Sequence, residues 1–287
     1  SIDELANKCI FLEKLIGINY SQPILSAQVK SCIILAGLGA FGETQIQEKI
    51  QSRDHTEIML KQLGAEIHNG EVVSIKPLKK PLDKFQITIP GDPSSAAFFA
   101  SAASMIPNSD LTIKNVLANP TRIGFFRIIE SMGADIEWNN MRKEWGEWVG
   151  DVRILSRPLN GLHITAELIP SIIDEIPIIA VLATQADSPT VIEGASELRV
   201  KESDRIKAIC ENLHSMGAEI IEKQDGFIIN PVNKLKYTHI KTFGDHRIAM
   251  AFTIAGLLTS EKNILDNEIC INISFPEFSK ILSQIIN

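Results

Sequence analysis

The sequence predicts a layered α/β fold built of repeated units, because two patterns recur along its 287 residues. Four segments begin with polar side chains and continue into small and apolar ones, which is typical of buried helices. A strand-like segment follows each of them. Three further segments end a helical pattern with Gly-Ala-acid-Ile, and turn-rich, hairpin-like residues come next. This order of buried helix, strand, second helix and hairpin indicates helices inside and sheets outside.

The four buried helices and the four strands that follow them are predicted from composition. The helices are SAQVKSCIILAGLGA (26–40), GDPSSAAFFASAASM (91–105), DEIPIIAVLATQA (174–186) and GDHRIAMAFTIAGLL (244–258). The strands are TQIQEKI (44–50), DLTIKNV (110–116), PTVIEGA (189–195) and KNILDNE (262–268). Because the helices are rich in Ala and Gly, neighbouring elements can approach closely, and we expect each helix to be buried nearly all round.

The Gly-Ala-acid-Ile pattern predicts where the second helices end and the hairpins begin. It occurs in LKQLGAEIH (60–68), IESMGADIE (129–137) and LHSMGAEII (213–221). The glycine is suited to a helix C-cap, where a positive φ is favoured. The segment IHNGEVVSI (67–75) that follows the first copy predicts a hairpin with a tight turn.

A break in the pattern at ITIPGDPSS (87–95) predicts a boundary between two domains, 1–90 and 91–287. The last unit has its second helix in FPEFSKILSQII (275–286), but the chain ends before a hairpin. We therefore expect residues from elsewhere to complete that sheet. The chain also opens at Ser1 in mid-pattern, so we expect it to be part of a longer protein.

Charge and cysteine usage exclude several classes of function. The formal net charge is −7, so a general affinity for nucleic acid or anionic membranes is not expected. The apolar stretches are too short to span a bilayer. No pair of cysteines has metal-ligand spacing, and no metal is expected. Reduced, mostly buried thiols and a cytoplasmic location are predicted for the four, Cys9, Cys32, Cys210 and Cys270.

Polar side chains precede every buried helix, and helix N-termini attract anions. SAQVKS (26–31) offers a hydroxyl, an amide and an amine to a phosphate or hydroxyl ligand, although Ser26 could simply cap the helix. Arg53 in SRDHTE (52–57) could form a phosphate fork or only begin a solvated helix. The glycines of GLGAFG (37–42) follow a helix instead of a strand, so close packing and a turn explain them better than dinucleotide binding.

Carboxylates and cations occur together in the second half of the chain. Asp174 and Glu175 in IIDEIP could be ordinary helix-start acids, but their apolar flanks favour a partly desolvated proton-transfer group. In ELRVKESDR (197–205), a helix would place Lys201 and Arg205 on one face beside Glu202, unless the run is only a solvated surface. A third cluster, GDHRIAM (244–250), supplies Asp245, His246 and Arg247 at another helix start.

Five of these motifs, taken together in chain order, resemble the EPSP synthase family (3-phosphoshikimate 1-carboxyvinyltransferase), one of the enolpyruvyl transferases. They are SAQVKS, SRDHTE, the Asp174 region of IIDEIP, RVKESDR and GDHRIAM. The 28-residue gap from Asp174 to Glu202 also matches the spacing of the two catalytic carboxylates of the family. SAQVK, RDHTE and NPTR (119–122) further resemble the subclass that tolerates the herbicide glyphosate.

The resemblance implies a two-domain inside-out α/β barrel of βαβαββ units. It implies that 1–90 is the remaining part of the N-terminal lower domain and 91–287 the C-terminal upper domain. The lower domain would be incomplete, because the N-terminal third of the family is absent. The implied reaction transfers the enolpyruvyl group of phosphoenolpyruvate to the 5-hydroxyl of shikimate 3-phosphate and releases phosphate. It belongs to the shikimate pathway of aromatic amino-acid biosynthesis. The chain alone is expected to be inactive.

The resemblance also implies roles for individual residues. Asp174 would be the base and Glu202 the acid, with Asp245 and His246 as supporting residues. Phosphoenolpyruvate would contact Gln28, Arg205 and Arg247. Shikimate 3-phosphate would contact Ser26, Ala27, Gln28, Arg53, Asp174 and Lys201. These residues would lie on both domains, so ligand-driven closure is expected. No cofactor is expected, the partners are the two small substrates, and the full-length protein is expected to be a monomer.

Two positions depart from the family pattern. Ala27 stands where some members have a second serine, and Ile273 stands where some have a lysine that contacts phosphoenolpyruvate. One phosphate contact is therefore expected to be missing or supplied from elsewhere. Two alternatives stay open: the sister enzyme that adds enolpyruvate to a UDP-sugar, and a non-catalytic α/β scaffold that binds anions.

Overall fold

The computed structural model describes residues 15–23 and 25–286. The predicted mixed α/β class is confirmed. These residues form two compact units, one of residues 15–89 with 143–147, the other of residues 90–142 with 148–286. Within the described residues, no helix has the length and apolar character that crossing a membrane requires.

The first unit contains one mixed four-stranded sheet in the order β1-β2-β4-β3. Its strands and helices, in chain order, are β1 (Asn19–Ser21), α1 (Ala27–Leu38), β2 (Thr44–Gln47), α2 (His55–Gln62), β3 (Ile67–His68) and β4 (Val72–Ile75). Strands β1 and β2 are parallel, whereas β4 is antiparallel to both of its neighbours. The predicted hairpin is therefore confirmed as β3 and β4. The core of the unit joins α1, α2 and the sheet through Ile34, Leu60, Ile46 and Ile75.

The second unit contains three sheets around buried helices. Its elements are α3 (Pro93–Met105), β5 (Asp110–Leu117), α4 (Gly124–Ser131), β6 (Asp135–Glu144), β7 (Glu147–Leu155), β8 (His163–Ile164), α5 (Ile169–Ile172), α6 (Ile176–Ala183), β9 (Thr190–Ile192), α7 (Arg205–Ser215), β10 (Glu219–Lys223), β11 (Gly226–Asn230), β12 (His239–Ile240), α8 (His246–Ala255), β13 (Ile264–Leu265) and α9 (Phe278–Ile285). The sheet orders are β5-β7-β6, β10-β11-β9-β8 and β12-β13. The helices α3, α6 and α8 pack on one another inside this unit.

The glycines of the three Gly-Ala repeats adopt the predicted conformation. Gly64, Gly133 and Gly217 have φ values of 90°, 101° and 82°. Each follows the end of a second helix, at α2, α4 and α7. Because an L side chain rarely adopts such a φ, glycine is the residue that allows the chain to leave the helix there.

The prediction of four helices buried nearly all round holds for α3, α6 and α8 and is wrong for α1. Val29 and Leu35 of α1 are 41% and 57% exposed. In the second unit, three such helices pack on one another, whereas in the described part of the first unit the main contacts of α1 are with α2, β2 and β4. The face of α1 that carries Val29 and Leu35 is exposed.

The cysteines of the second unit are buried, whereas the described cysteine of the first unit is exposed. Cys210 and Cys270 are buried, as predicted, and burial raises the pKa of the Cys210 thiol to about 12. Cys32 is exposed because it lies on the uncovered face of α1, so the prediction is wrong for this residue. Cys9 lies outside the described residues.

Candidate active site

The predicted ligand residues of the first unit gather at the start of α1. Ser26 caps the helix, because its Oγ accepts a hydrogen bond of 3.3 Å from the Val29 amide. A cavity of about 550 Å³ is lined by Ala27, Gln28 and Arg53, together with other side chains of α1 and α2. Three residues predicted from two separate motifs therefore line one cavity.

The amine of SAQVKS does not belong to this cavity, so its prediction as a possible ligand is wrong. The side chain of Lys30 is fully buried, with Nζ 2.7 Å from Glu57 Oε1 and 2.9 Å from Glu48 Oε2. Burial raises the pKa of the Glu57 carboxyl, and the contact with Lys30 offsets only part of that effect. The lysine instead ties α1 to α2 and to Glu48, which directly follows β2. Strand β2 itself ends at Gln47, earlier than predicted.

The second unit has a buried arginine at the centre of its charged cluster. Arg205, the first residue of α7, donates from Nε to Asp245 Oδ2 at 2.8 Å. Its Nη2 donates to Glu202 Oε2 at 2.7 Å, and its Nη1 lies 3.5 Å from Asp174 Oδ1. One guanidinium therefore contacts both carboxylates predicted to transfer protons.

Asp245 links this cluster to the start of α8. Its Oδ1 accepts from the Arg247 amide at 2.9 Å, and its Oδ2 also accepts from Ser203 Oγ at 3.0 Å. Burial alone would raise the pKa of Asp245, but the hydrogen bond and charge of Arg205 hold that pKa below its ordinary value. Asp245 thus stays charged and fixes the orientation of the Arg205 guanidinium.

Asp174 lies between two guanidinium groups. Arg247 places Nη2 at 3.4 Å from Asp174 Oδ2 and donates from Nη1 to the Asp174 carbonyl at 3.5 Å. Asp174 is largely buried, whereas the Glu202 side chain is 54% exposed. The two acids therefore occupy different environments around the same arginine, one largely buried and the other largely exposed.

The prediction that ELRVKESDR forms one helix is wrong. A 3₁₀ turn covers Ser196–Val200, and α7 begins only at Arg205. The helix restarts there because Asp204 caps it through the Lys207 amide at 3.0 Å. Lys201 lies outside both helical segments and pairs with Glu197, so it shares no helix face with the buried Arg205.

His246 and Ile273, two further positions considered in the sequence, lie in a buried and an exposed environment, respectively. His246 is the first residue of α8 and is buried; burial and the nearby Arg247 lower the pKa of its imidazole, which favours the neutral ring. Ile273 ends a 3₁₀ turn and is 73% exposed, so it brings no cation to the surface around it. Among residues 15–23 and 25–286, no group of three or more His, Cys, Asp or Glu side chains is arranged to hold a metal ion.

The sequence offered Glu175 only together with Asp174, as a possible proton-transfer acid, and did not reveal its partners. Glu175 is buried at the start of α6 and is hydrogen-bonded to Ser94 at the start of α3. Arg122 donates to the same Ser94 hydroxyl at 2.9 Å. The sequence shows that Glu175 is adjacent to Asp174, and it contains Ser94 in GDPSS and Arg122 in NPTR. Only the folded structure shows that these residues come together.

The relatives of this chain include enzymes named 3-phosphoshikimate 1-carboxyvinyltransferase. The chain is 48% identical over 277 residues to the 3-phosphoshikimate 1-carboxyvinyltransferase of Sulfurihydrogenibium sp., covering 95% of this chain and 64% of the relative. It is 49% identical over 268 residues to the enzyme of the same name from Petrotoga mobilis, covering 93% of this chain and 62% of the relative.

Two solved structures have folds similar to that of this chain. The EPSP synthase of Acinetobacter baumannii matches with a TM-score of 0.88 and 40% identity, over 95% of this chain and 63% of that one. The enolpyruvyl transferase NikO of Streptomyces tendae matches with a TM-score of 0.68 and 18% identity, over 88% of this chain and 57% of that one, which bears on the fold alone.

The chain therefore has the α/β fold of the enolpyruvyl transferases. It belongs to the EPSP synthase (3-phosphoshikimate 1-carboxyvinyltransferase) family, whose model matches residues 3–282. It spans 62–64% of the length of the two relatives named above.

Proposed function

We propose that this chain takes part in transferring the enolpyruvyl group of phosphoenolpyruvate to the 5-hydroxyl of shikimate 3-phosphate. Phosphate is released, and the reaction serves aromatic amino-acid biosynthesis. Family membership supports the reaction class. The observation that carries the proposal is the contact of one buried guanidinium, Arg205, with both Asp174 and Glu202.

The reaction needs two proton transfers in opposite directions. As the acceptor oxygen bonds to C2 of phosphoenolpyruvate, its hydroxyl loses a proton to Asp174 and the C3 methylene gains one from Glu202. In the elimination step, a proton from C3 of the tetrahedral intermediate returns to the Glu202 carboxylate and the bond from C2 to the phosphate oxygen breaks, which restores the double bond. The leaving phosphate takes up the proton held by Asp174. General acid and base groups in such steps typically contribute about 100- to 10,000-fold in rate.

The cations of the second unit are suited to a ligand that carries both a phosphate and a carboxylate. The contacts of Arg205 and Arg247 with Asp174, at 3.5 and 3.4 Å, are longer than ideal charge-assisted hydrogen bonds. An incoming anion could therefore replace them at small cost. We assign phosphoenolpyruvate to these two arginines, and Lys201 to the phosphorylated acceptor.

The cavity of the first unit supports a separate part of the proposal. A guanidinium and a side-chain amide line it, and the capped N-terminus of α1 lies beside it. These groups bind phosphate and hydroxyl oxygens. We assign Ser26, Ala27, Gln28 and Arg53 to shikimate 3-phosphate, with Gln28 also within the phosphoenolpyruvate set.

The test is phosphate release from phosphoenolpyruvate, measured with the protein as its gene encodes it. Release should require shikimate 3-phosphate and should fall by roughly 100-fold or more in Asp174→Asn and in Glu202→Gln. Asp110→Asn is the matched control, because Asp110 pairs with Arg153 at an exposed edge of β5.

Three outcomes would contradict the proposal. Either acid variant could keep wild-type turnover, which would remove that residue from its role. A UDP-sugar could replace shikimate 3-phosphate as acceptor, which would favour the sister enzyme. Calorimetry could show no mutual enhancement of binding between the two substrates and no turnover, as expected of a binding scaffold.

A further inference from the structure

Glu175 follows Asp174 in the chain, and its side chain is buried. Glu175 is the residue before α6 and is only 5% exposed. Four groups act on its carboxyl by charge or by hydrogen bonding, and they come from four places in the fold. They are Asp174 on its own segment, Ser94 on α3, Arg122 in the loop before α4, and Arg247 on α8.

The hydroxyl of Ser94 lies beside the Glu175 carboxyl, and its hydrogen bond to that carboxyl favours the ionised form and so lowers the pKa. That hydroxyl accepts a hydrogen bond of 2.9 Å from Arg122 Nη2. Because a serine hydroxyl has a single hydrogen to donate, Ser94 can direct that hydrogen to Glu175. The acid thereby connects the start of α6 to the start of α3.

The nearby cations are engaged by other carboxylates. Arg122 donates to Asp92 Oδ1 at 2.6 Å, and Asp92 in turn caps α3 through the Ser95 amide at 2.9 Å. Arg247 contacts Asp174, as described above. Within the described residues, Glu175 itself forms no ion pair. An ionised Glu175 would therefore be one more buried negative charge without a cation of its own, which is costly.

We infer that Glu175 is a positioning residue carried as a neutral carboxylic acid. Uncharged, it fastens α6 to α3 through Ser94 and leaves Arg247 to Asp174 and to the incoming anion. Ionised, it would compete for Arg247 and place a negative charge behind an anion-binding site. The inference rests on the proposed function for the anionic ligand, but the protonation of Glu175 can be tested without it.

Burial supports this assignment. It raises the pKa of the Glu175 carboxyl, and the charge of Asp174 raises it further. The hydrogen bond from Ser94 and the charges of Arg247 and Arg122 oppose this effect without cancelling it. The acid thus keeps its proton to a higher pH than an exposed glutamate would.

The direct test is infrared spectroscopy of the 287-residue chain at neutral pH. A protonated carboxylic acid has a carbonyl band that a carboxylate lacks. Because the buried Glu57 can contribute to the same region, the readout is the difference between variants. We expect the band of Glu175→Gln to be weaker than that of the wild type by one carboxyl group, and the band of Glu130→Gln, whose changed side chain is exposed on α4, to match the wild type. A wild type without the band, or a band of equal intensity in Glu175→Gln, would overturn the inference.

The role in anion binding has its own measurement. At neutral pH, and in the protein as its gene encodes it, Glu175→Gln should bind phosphoenolpyruvate within about twofold of the wild type, because an amide replaces a neutral acid. If Glu175 were ionised, removing its charge should tighten binding by about tenfold or more, which would contradict the assignment. A wild type that shows the infrared band but binds no phosphoenolpyruvate would refute the proposed function and this role, while leaving the neutral acid established.

Discussion

Asp245→Asn is the substitution that probes the charged cluster most sharply. It removes the negative charge opposite Arg205 but keeps a side-chain oxygen that can still cap α8. Both partners of the pair are fully buried, and the Nε to Oδ2 distance is 2.8 Å. The change therefore isolates the charge from the cap and from the packing volume.

The magnitude follows from what remains around Arg205. The other two carboxylates that contact Arg205 would balance its charge poorly after Asp245 is changed. The Glu202 side chain is 54% exposed, and Asp174 Oδ1 is 3.5 Å from Arg205 Nη1. Removing one partner of a buried ion pair costs about 3–5 kcal/mol. That is a large share of a typical free energy of unfolding, which is about 5–15 kcal/mol. Asp245→Ala should cost about 1 kcal/mol more, because the cap is lost as well.

Denaturant unfolding of the purified chain measures this loss, with the exposed Asp110→Asn as the control that should change little. The pKa of Asp245 is lowered, so its contribution is present above its ordinary value of 3.8 and is lost as pH falls. The difference between wild type and Asp245→Asn should therefore shrink below that pH. A loss under about 1 kcal/mol at neutral pH, or one that does not depend on pH in acid, would refute the reasoning.

Two more predictions concern buried ionisable side chains. Lys30→Met should lower the free energy of unfolding by about 3–5 kcal/mol, because Glu48 and Glu57 lose their buried cation; Lys79→Met, whose amine is exposed, should be near neutral in the same denaturant assay. Near-equal stability of the two variants would contradict the structural role of Lys30. For Glu175, the folded pKa is raised above the ordinary 4.5, so its stabilising contribution is present below pH 4.5 and lost as pH rises through the folded pKa. Relative to Glu175→Gln, the wild type should therefore lose up to about 1.4 kcal/mol per pH unit between pH 4.5 and the folded pKa, in thermal or denaturant unfolding. Stability curves of the two proteins that stay parallel above pH 4.5 would refute the raised pKa.

The sequence was sufficient to predict features that depend on local chemistry. The positive-φ glycines at Gly64, Gly133 and Gly217 follow from helix-ending patterns, and these patterns do not depend on distant contacts. The buried helix α6 was predictable because IPIIAVLA has no polar side chain to expose. Asp174 and Glu202 were also predictable from the sequence, because their motifs and their spacing in the chain contributed to the family resemblance.

Other features depended on contacts between distant residues. Nothing local in SAQVKS shows that Lys30 turns inward to Glu57, 27 positions further along the chain. A helix over ELRVKESDR was a reasonable expectation from charge spacing, but the cap supplied by Asp204 restarts the helix at Arg205. Glu175 could not be separated from Asp174 by sequence, because only the packing of α3 against α6 decides which of the two neighbours is enclosed.

The most direct test of the central claim follows the hydrogens at C3 of phosphoenolpyruvate in deuterated water. If Glu202 protonates C3 and a proton then leaves, the methylene group of recovered substrate or product should acquire deuterium, which NMR detects. The protein as its gene encodes it should show this exchange, Glu202→Gln should lose it, and the exposed Glu130→Gln should keep it. Turnover without any deuterium at C3, or undiminished exchange in Glu202→Gln, would contradict the mechanism assigned to this cluster.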